Sequence, residues 1–122
     1  MEEALSQLNK TTGVRGSMLV GIDGIIIASE VEEGIDQEVA AAETVALLKT
    51  TERSLSKLYS GPVIRGMVSG ELGKVLFMGS EMGLLIALTE PEANLGLVWL
   101  ELKNAMQRLR GGLPEKESQW SP

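Results

Sequence analysis

The sequence predicts an α+β fold in which a five-stranded, largely antiparallel sheet lies between helices. Three observations carry that expectation. Strand-like and helix-like segments follow one another in the order α-β-β-α-β-β-β-α. The strand-like runs "IIIA", "VLFM" and "LLIAL" are apolar at consecutive positions rather than alternating. A strand places successive side chains on opposite faces, so a continuously apolar strand needs cover on both. Three helical segments are available: the long central one for one face and the two terminal ones for the other.

The first element is a short amphipathic helix, with Ala4, Leu5 and Leu8 at helical spacing, stopping near Gly13. "VRGSMLVGIDGIIIASEV" then reads as two strands joined at Asp23-Gly24, a pair suited to a tight primed turn. From Ile35 to Tyr59 there is neither Pro nor Gly, and Ala, Leu, Glu and Lys dominate, which predicts one long helix. Asp36 and Glu38 fall near its positive end and Lys57 near its negative end. "SGP" at 60–62 stops it. Three strands follow, "VIRGMVS", "GKVLFMG" and "GLLIALT", separated by turns around Gly70 to Gly73 and Gly79 to Gly83.

The stretch "TEPEANLGLVWLELKNAM" holds the sharpest punctuation. Pro91 has no N–H to give a strand ladder, and Asn94 can cap a new helix through its side-chain oxygen. Leu95, Val98, Trp99, Leu102, Ala105, Met106 and Leu109 advance by three or four and form one apolar face. Gly111-Gly112 ends this helix. The chain therefore divides into a domain over 1–110 and a polar, Pro-bearing tail over 111–122, in which Trp120 has no helical context.

Composition excludes several kinds of function. At 122 residues the chain has the length of one domain and buries roughly two-thirds of its unfolded surface. A net charge of -6 argues against a nucleic-acid partner, which needs concentrated Lys and Arg. There is no Cys and no His, so disulfides, thiolate sites, Ser-His-Asp and Cys-His catalysis and ordinary zinc sites are all excluded. The acidic N-terminus is unlike a signal peptide, and no apolar run approaches the ~20 residues that cross a bilayer. These features point to a soluble, cytoplasmic domain with no membrane insertion.

No motif announces chemistry. "GELGKV" at 70–75 lacks the first Gly of a phosphate loop, and Lys74 is followed by Val75 and a strand, so it reads as a turn. Glu32-Glu33 has no basic or polar constellation beside it. Met18, Met67, Met78 and Met82 suit gap-filling in an aromatic-poor core better than an adaptable surface. Trp99 reads as core. Arg53 on the long helix is the best-placed arginine for insertion into a partner's site, although a solvated helix charge is the simpler reading.

Taken together, "GLLIALTEPEANLGLVWLELKNAM", with Glu90, Pro91, Asn94, Leu95, Gly96 and Leu97, resembles the terminal strand-helix segment of the Roadblock/dynein light chain superfamily. "VRGSMLVGIDGIIIAS" is similar to that family's Asp-Gly hairpin, and "GKVLFMGSEMGLLIAL" to its final hairpin. The likeness spans about residues 3–110 and is nearer to prokaryotic members of the MglB type than to the shorter dynein subunits. It implies a profilin-like fold, a homodimer, no cofactor and no catalysis. Family dimers pair the third strand edge to edge and pack the central helices side by side. Carried over, the pairing strand is Val63, Ile64, Arg65, Gly66, Met67, Val68 and Ser69, and the packing helix is Ile35 to Tyr59.

On that helix Ile35, Val39, Ala42 and Ala46 lie on one line, and Ala40, Leu47, Leu55 and Leu58 on another. Small residues on a second line let another helix approach closely, although a wide monomer core would read the same way. An unpaired "VIRGMVS" border is a liability in a monomer, with only Arg65 to discourage pairing. The partner that the resemblance implies is a small Ras-like GTPase, with Glu43, Lys49, Thr50 and Arg53 as contact candidates. A structural scaffold of a motor or signalling complex, indifferent to nucleotide, and a small-molecule sensor are the alternatives.

Overall fold

A computed structural model describes residues 1–111. The expected tail at 111–122 thus lies, but for Gly111, outside the described residues. The elements run α1 (Glu2–Asn9), β1 (Val14–Val20), β2 (Ile26–Val31), α2 (Gln37–Leu55), β3 (Arg65–Ser69), β4 (Lys74–Ser80), β5 (Gly83–Thr89) and α3 (Leu95–Arg110). The five strands form one antiparallel sheet in the order β2-β1-β5-β4-β3. This is the expected α+β architecture, with the expected division of helices between faces.

β5 lies at the centre, paired with β1 and β4, and every residue from Gly83 to Ala87 is buried. Its side chains feed two cores. On one face Leu85 and Ala87 join Leu19 and Leu76 beneath Leu5 and Leu8 of α1 and Val98, Leu102 and Met106 of α3. On the other, Leu84 and Ile86 join Met18, Val20 and Phe77 beneath Ala41, Val45 and Leu48 of α2. Each fully buried side chain of this size contributes about 1.5–3 kcal/mol from leaving water. Of the methionines expected to fill gaps, Met18 is buried and Met78 and Met82 pack against the core, while Met67 is exposed.

The polar atoms at the joints are matched. Ser17, buried in β1, donates to Asn9 Oδ1 at 2.8 Å, and Asn9 Nδ2 donates to the Glu30 carbonyl at 2.8 Å. One amide thereby fastens α1 across β1 and β2. Lys74 Nζ donates to the Pro91 carbonyl, tying β4 to the turn that starts α3. Asn94 caps α3, accepting from the Leu97 N–H at 3.0 Å, as its place after Pro91 leads one to expect.

Three boundaries differ from the sequence reading. The central helix is shorter than Ile35–Tyr59. Asp36 sits outside it as the N-cap, accepting from Glu38 and Val39 N–H, so Ile35 precedes the helix. At the other end Leu55 is the last helical residue. The Tyr59 N–H turns back to the Leu55 carbonyl at 2.8 Å, which leaves Lys57 and Leu58 in a turn. The pairing strand begins at Arg65 rather than Val63, because the Gly79 N–H to Ile64 carbonyl bond is the last cross-strand link before Pro62, which has no N–H.

The turns differ too. The Asp23-Gly24 turn is a five-residue loop, not a tight primed one. Asp23 keeps a negative φ and only Gly24, at φ 86°, enters the left-handed region. Asp23 Oδ1 instead accepts from the Ile25 N–H at 3.0 Å. The turn at Gly79–Gly83 narrows to Glu81 and Met82, and Gly79 lies within β4.

Gly66 faces Phe77 across the β3–β4 ladder. A Cβ there would stand 2.5 Å from Phe77 Cζ, inside contact distance of a ring that is itself buried. The glycine thus lets the aromatic ring lie over the backbone of β3. Gly66→Ala is expected to lower unfolding free energy by about 1–3 kcal/mol, as overpacking does. Urea unfolding followed by circular dichroism reads it directly, and an unchanged midpoint would show the ring free to give way.

Candidate functional site

The sheet has two borders, and the structure treats them differently. At β2 the Asn9 amide occupies the Glu30 carbonyl, and Arg15 Nε meets Glu32 Oε2 at 3.1 Å just beyond the strand's end. Charge and a helix therefore blunt that side. At β3 the residues from Met67 to Ser69 are exposed, and among the described residues no element lies alongside. Arg65, the one charge expected to discourage pairing there, is turned away from the border. Its guanidinium lies 4.7 Å from the centroid of the Trp99 ring on α3. Such a stack is worth about 0.5–1 kcal/mol at an exposed site. Trp99 is accordingly half-buried: it packs against the core on one side and carries Arg65 on the other.

The second surface is the outer side of α2. Ala41, Thr44, Val45 and Leu48 face the sheet, and the Thr44 hydroxyl donates to the Ala40 carbonyl at 2.7 Å, so it needs no other partner. Val39, Ala42 and Ala46 lie opposite and are exposed, Val39 at 55%. The stripe therefore does not belong to the monomer core. Of the second line, Ala40 and Leu47 pack at the core's margin, whereas Leu58 is exposed in the turn beyond the helix. Ile35, half-buried ahead of the helix, does not extend the first line.

Glu43, Lys49, Thr50 and Arg53, named for partner contact, are all exposed on this same outer side. At 3.6 residues per turn, Thr50 and Arg53 continue the row of Ala46, and Lys49 that of Ala42. The structure thus brings the pairing stripe and the contact candidates onto one face, apolar in its first half and polar in its second. It separates Val63 and Ile64, which lie before β3, from the strand proper.

Sequence reasoning passed over Ile22 and Ile25, which are exposed. Each lies in a loop or just outside a strand, where no periodicity marks a side chain as inward or outward. Among the described residues no group of three or more acidic side chains is placed to hold a metal ion, and no helix is long and apolar enough to cross a membrane. Among the described residues, one carboxylate, Glu81, has a displaced titration. Arg110 Nη2 stands 3.0 Å from Glu81 Oε1, and this hydrogen bond, with a backbone bond, holds Glu81 below the usual carboxylate range.

Comparison with known proteins places this geometry. A family model described as "Roadblock/LC7 domain" matches residues 1–90. The uncharacterized proteins MJ1340 and MJ0310 of Methanocaldococcus jannaschii are each 36% identical to this chain over 110 residues, covering 90% of it and 96% of theirs. Among solved structures, a Roadblock/LC7 domain from Streptomyces avermitilis superposes with a TM-score of 0.80 at 16% identity, over 90% of this chain and 94% of that one. The gliding protein MglB from Thermus thermophilus gives 0.78 at 21% identity, over 88% and 84%. An MglB with tetrameric arrangement gives 0.79, also at 21% identity, over 88% and 83%. At these identities the structural likeness establishes the fold.

The Glu81–Arg110 pair fixes the end of α3 to the β4–β5 turn, with side chains 39% and 17% exposed. Because Glu81 is easier to ionise in the folded chain, its contribution is complete above the ordinary carboxylate pKa and is lost as pH falls through the lowered folded value. Glu81→Gln is expected to cost about 0.5 kcal/mol at pH 7, the scale of a partly exposed pair. The difference in melting temperature between the two proteins should shrink as pH falls below the ordinary carboxylate range.

Proposed function

The chain belongs to the Roadblock/LC7 family, and from that premise we propose that it is a non-catalytic, homodimeric module that binds and regulates a small Ras-like GTPase. The observation that carries the reading is the coincidence of an open β3 border with an exposed row of small apolar residues on α2. Pairing two copies through Arg65–Ser69 joins the two sheets into one and satisfies the free backbone groups of both borders. Val39, Ala42 and Ala46 then let the two α2 helices approach closely, since none carries bulk beyond a Val. Val63 and Ile64 flank this seam.

The polar half of the outer α2 face, with Lys49, Thr50 and Arg53 and with Glu43 alongside, offers the partner surface. An interface of ordinary size, about 1,600 Å² in total, spans the helix pair and its flanking loops. Regulation follows if that platform fits one conformation of the GTPase switch loops better than the other. The contribution to hydrolysis is then positional: the platform holds the GTPase's own catalytic groups in place. The absence of His and Cys from the sequence supports a role by contact rather than by chemistry. The same surfaces serve in a cytoplasmic setting, without nucleic acid, cofactor or membrane insertion.

Two expected outcomes test the reading. Light scattering after size exclusion should give twice the 13.1 kDa chain mass, and Ala42→Glu with Ala46→Glu should return the monomer. Both positions are exposed and Glu favours helix, so folding should survive. Pull-down against a Ras-like GTPase encoded beside this gene, loaded with GDP or a GTP analogue, should show preference for one state. Arg53→Ala should weaken it about tenfold, the scale of one charged contact in an interface. Equal binding in both states would select a scaffold role, and no binding in either would reject the GTPase partner.

A further inference from the structure

Near its C-terminal end α2 passes over a place where the core is incomplete. The inward positions of the helix run Ala41, Val45, Leu48 and then, four residues on, Glu52, where the pattern calls for another apolar side chain. Beneath it, β4 presents Phe77 to the α2 core and next, on the same face, Gly79. A Cβ on Gly79 would meet nothing nearer than the Val63 and Ile64 carbonyl oxygens, at 3.7 and 3.8 Å. Two departures from core-building thus fall at one spot, and together they leave an open groove of about 360 Å³.

Leu48, Val63 and Leu84 wall the groove, and Ile22 and Ile64, 70% and 73% exposed, stand along it. The charged residues lining it are Glu52 and Glu81, and among the described residues no basic one does. Glu81 is engaged by Arg110, whereas Glu52 takes part in no ion pair among the described residues. A half-buried carboxylate beside an apolar hollow is matched by a cation with an apolar neighbour.

We propose that this groove is a docking site for a partner-protein segment carrying one or two large apolar side chains with a Lys or Arg placed against Glu52. The volume is at the small end of ligand sites, about 300–1,000 Å³, and holds side chains rather than a whole helix. The exposed Ile22 and Ile64 extend the contact to neighbouring residues of the incoming segment. Departures from core-building without a local compensation are what a binding site leaves in a sequence. The site is independent of the GTPase reading. It opens beside the β3 border but needs neither β3 pairing nor the outer face of α2.

The probe is a displayed library of random peptides, about 12 residues long so as to span the groove in extended form, selected on the full-length protein after depletion on Gly79→Leu, which fills the groove. Enriched peptides should combine a large apolar residue with Lys or Arg within about four positions. Made synthetically and fluorescein-labelled, they should bind Glu52→Gln at least tenfold more weakly than wild type in fluorescence anisotropy. Glu38→Gln, the same charge change about 20 Å away along α2, should leave their affinity unchanged. Should Gly79→Leu fail to fold, depletion on Glu52→Lys replaces it, since Glu52 is only half-buried and a long Lys side chain can reach water. Enrichment of neutral or acidic peptides, equal affinity for Glu52→Gln and wild type, or no survivor of depletion would overturn the proposal. So would self-association that Gly79→Leu abolishes, which would give the groove to a second copy.

Discussion

The structure depends on β5 being apolar on both faces. A strand that buries Leu84 and Ile86 on one side and Leu85 and Ala87 on the other cannot lie at a border or face water. It must be central, and it must be roofed twice. Hairpin connectivity through Glu81–Met82 then puts β4 on one flank, and β1 takes the other. β2 and β3 become borders because each is joined by a hairpin to one of those flanks. The sheet order is a consequence of one strand's hydrophobicity and a few short loops.

The two roofs are unequal, and the inequality shapes the surface. On one side α1 and α3 lie together and reach across the sheet as far as Trp99, which receives Arg65 from β3. On the other, among the described residues, a single helix does the covering. It leaves uncovered an apolar row along its own outer side and a hollow near its end. What a second helix hides on the first face is left exposed on the second. The Arg65–Trp99 stack adds to this asymmetry, since it draws the one border charge of β3 toward the doubly covered side.

Much of this was legible in the residues, and for identifiable reasons. Element order, the need for two roofs, the Asn94 cap and the Trp99 helix follow from local patterns: runs of apolar residues, Pro91, a side chain that can reach a free N–H. The ends of α2 were legible only in part, because a stretch free of Pro and Gly sets an outer limit while the actual limit is a hydrogen bond. Asp36 satisfies the first N–H groups, so the helix starts after it, whatever helix-forming residues precede. The five-residue loop at Asp23 escaped notice because the Asp side chain competes with the turn backbone for the Ile25 N–H.

The hollow near Glu52 was illegible for a different reason. A missing side chain leaves a mark only when register is known: Gly79 reads as a turn residue until Arg65↔Met78 and Gly79↔Leu84 pairing sets it inside β4. Glu52 reads as one more helix charge until the inward row Ala41, Val45, Leu48 reaches it. Among the described residues, neither departure has a compensating ion pair or packed side chain. Both cost stability that Leu or Ala at 52 and a larger residue at 79 would restore, since the space for it exists. A domain that gains nothing from leaving that space empty would be expected to fill it, as it fills the inward positions from Ala41 to Leu48. A carboxylate over a glycine, where the inward row of the helix calls for an apolar side chain, is therefore better accounted for by something that enters than by anything the fold itself requires.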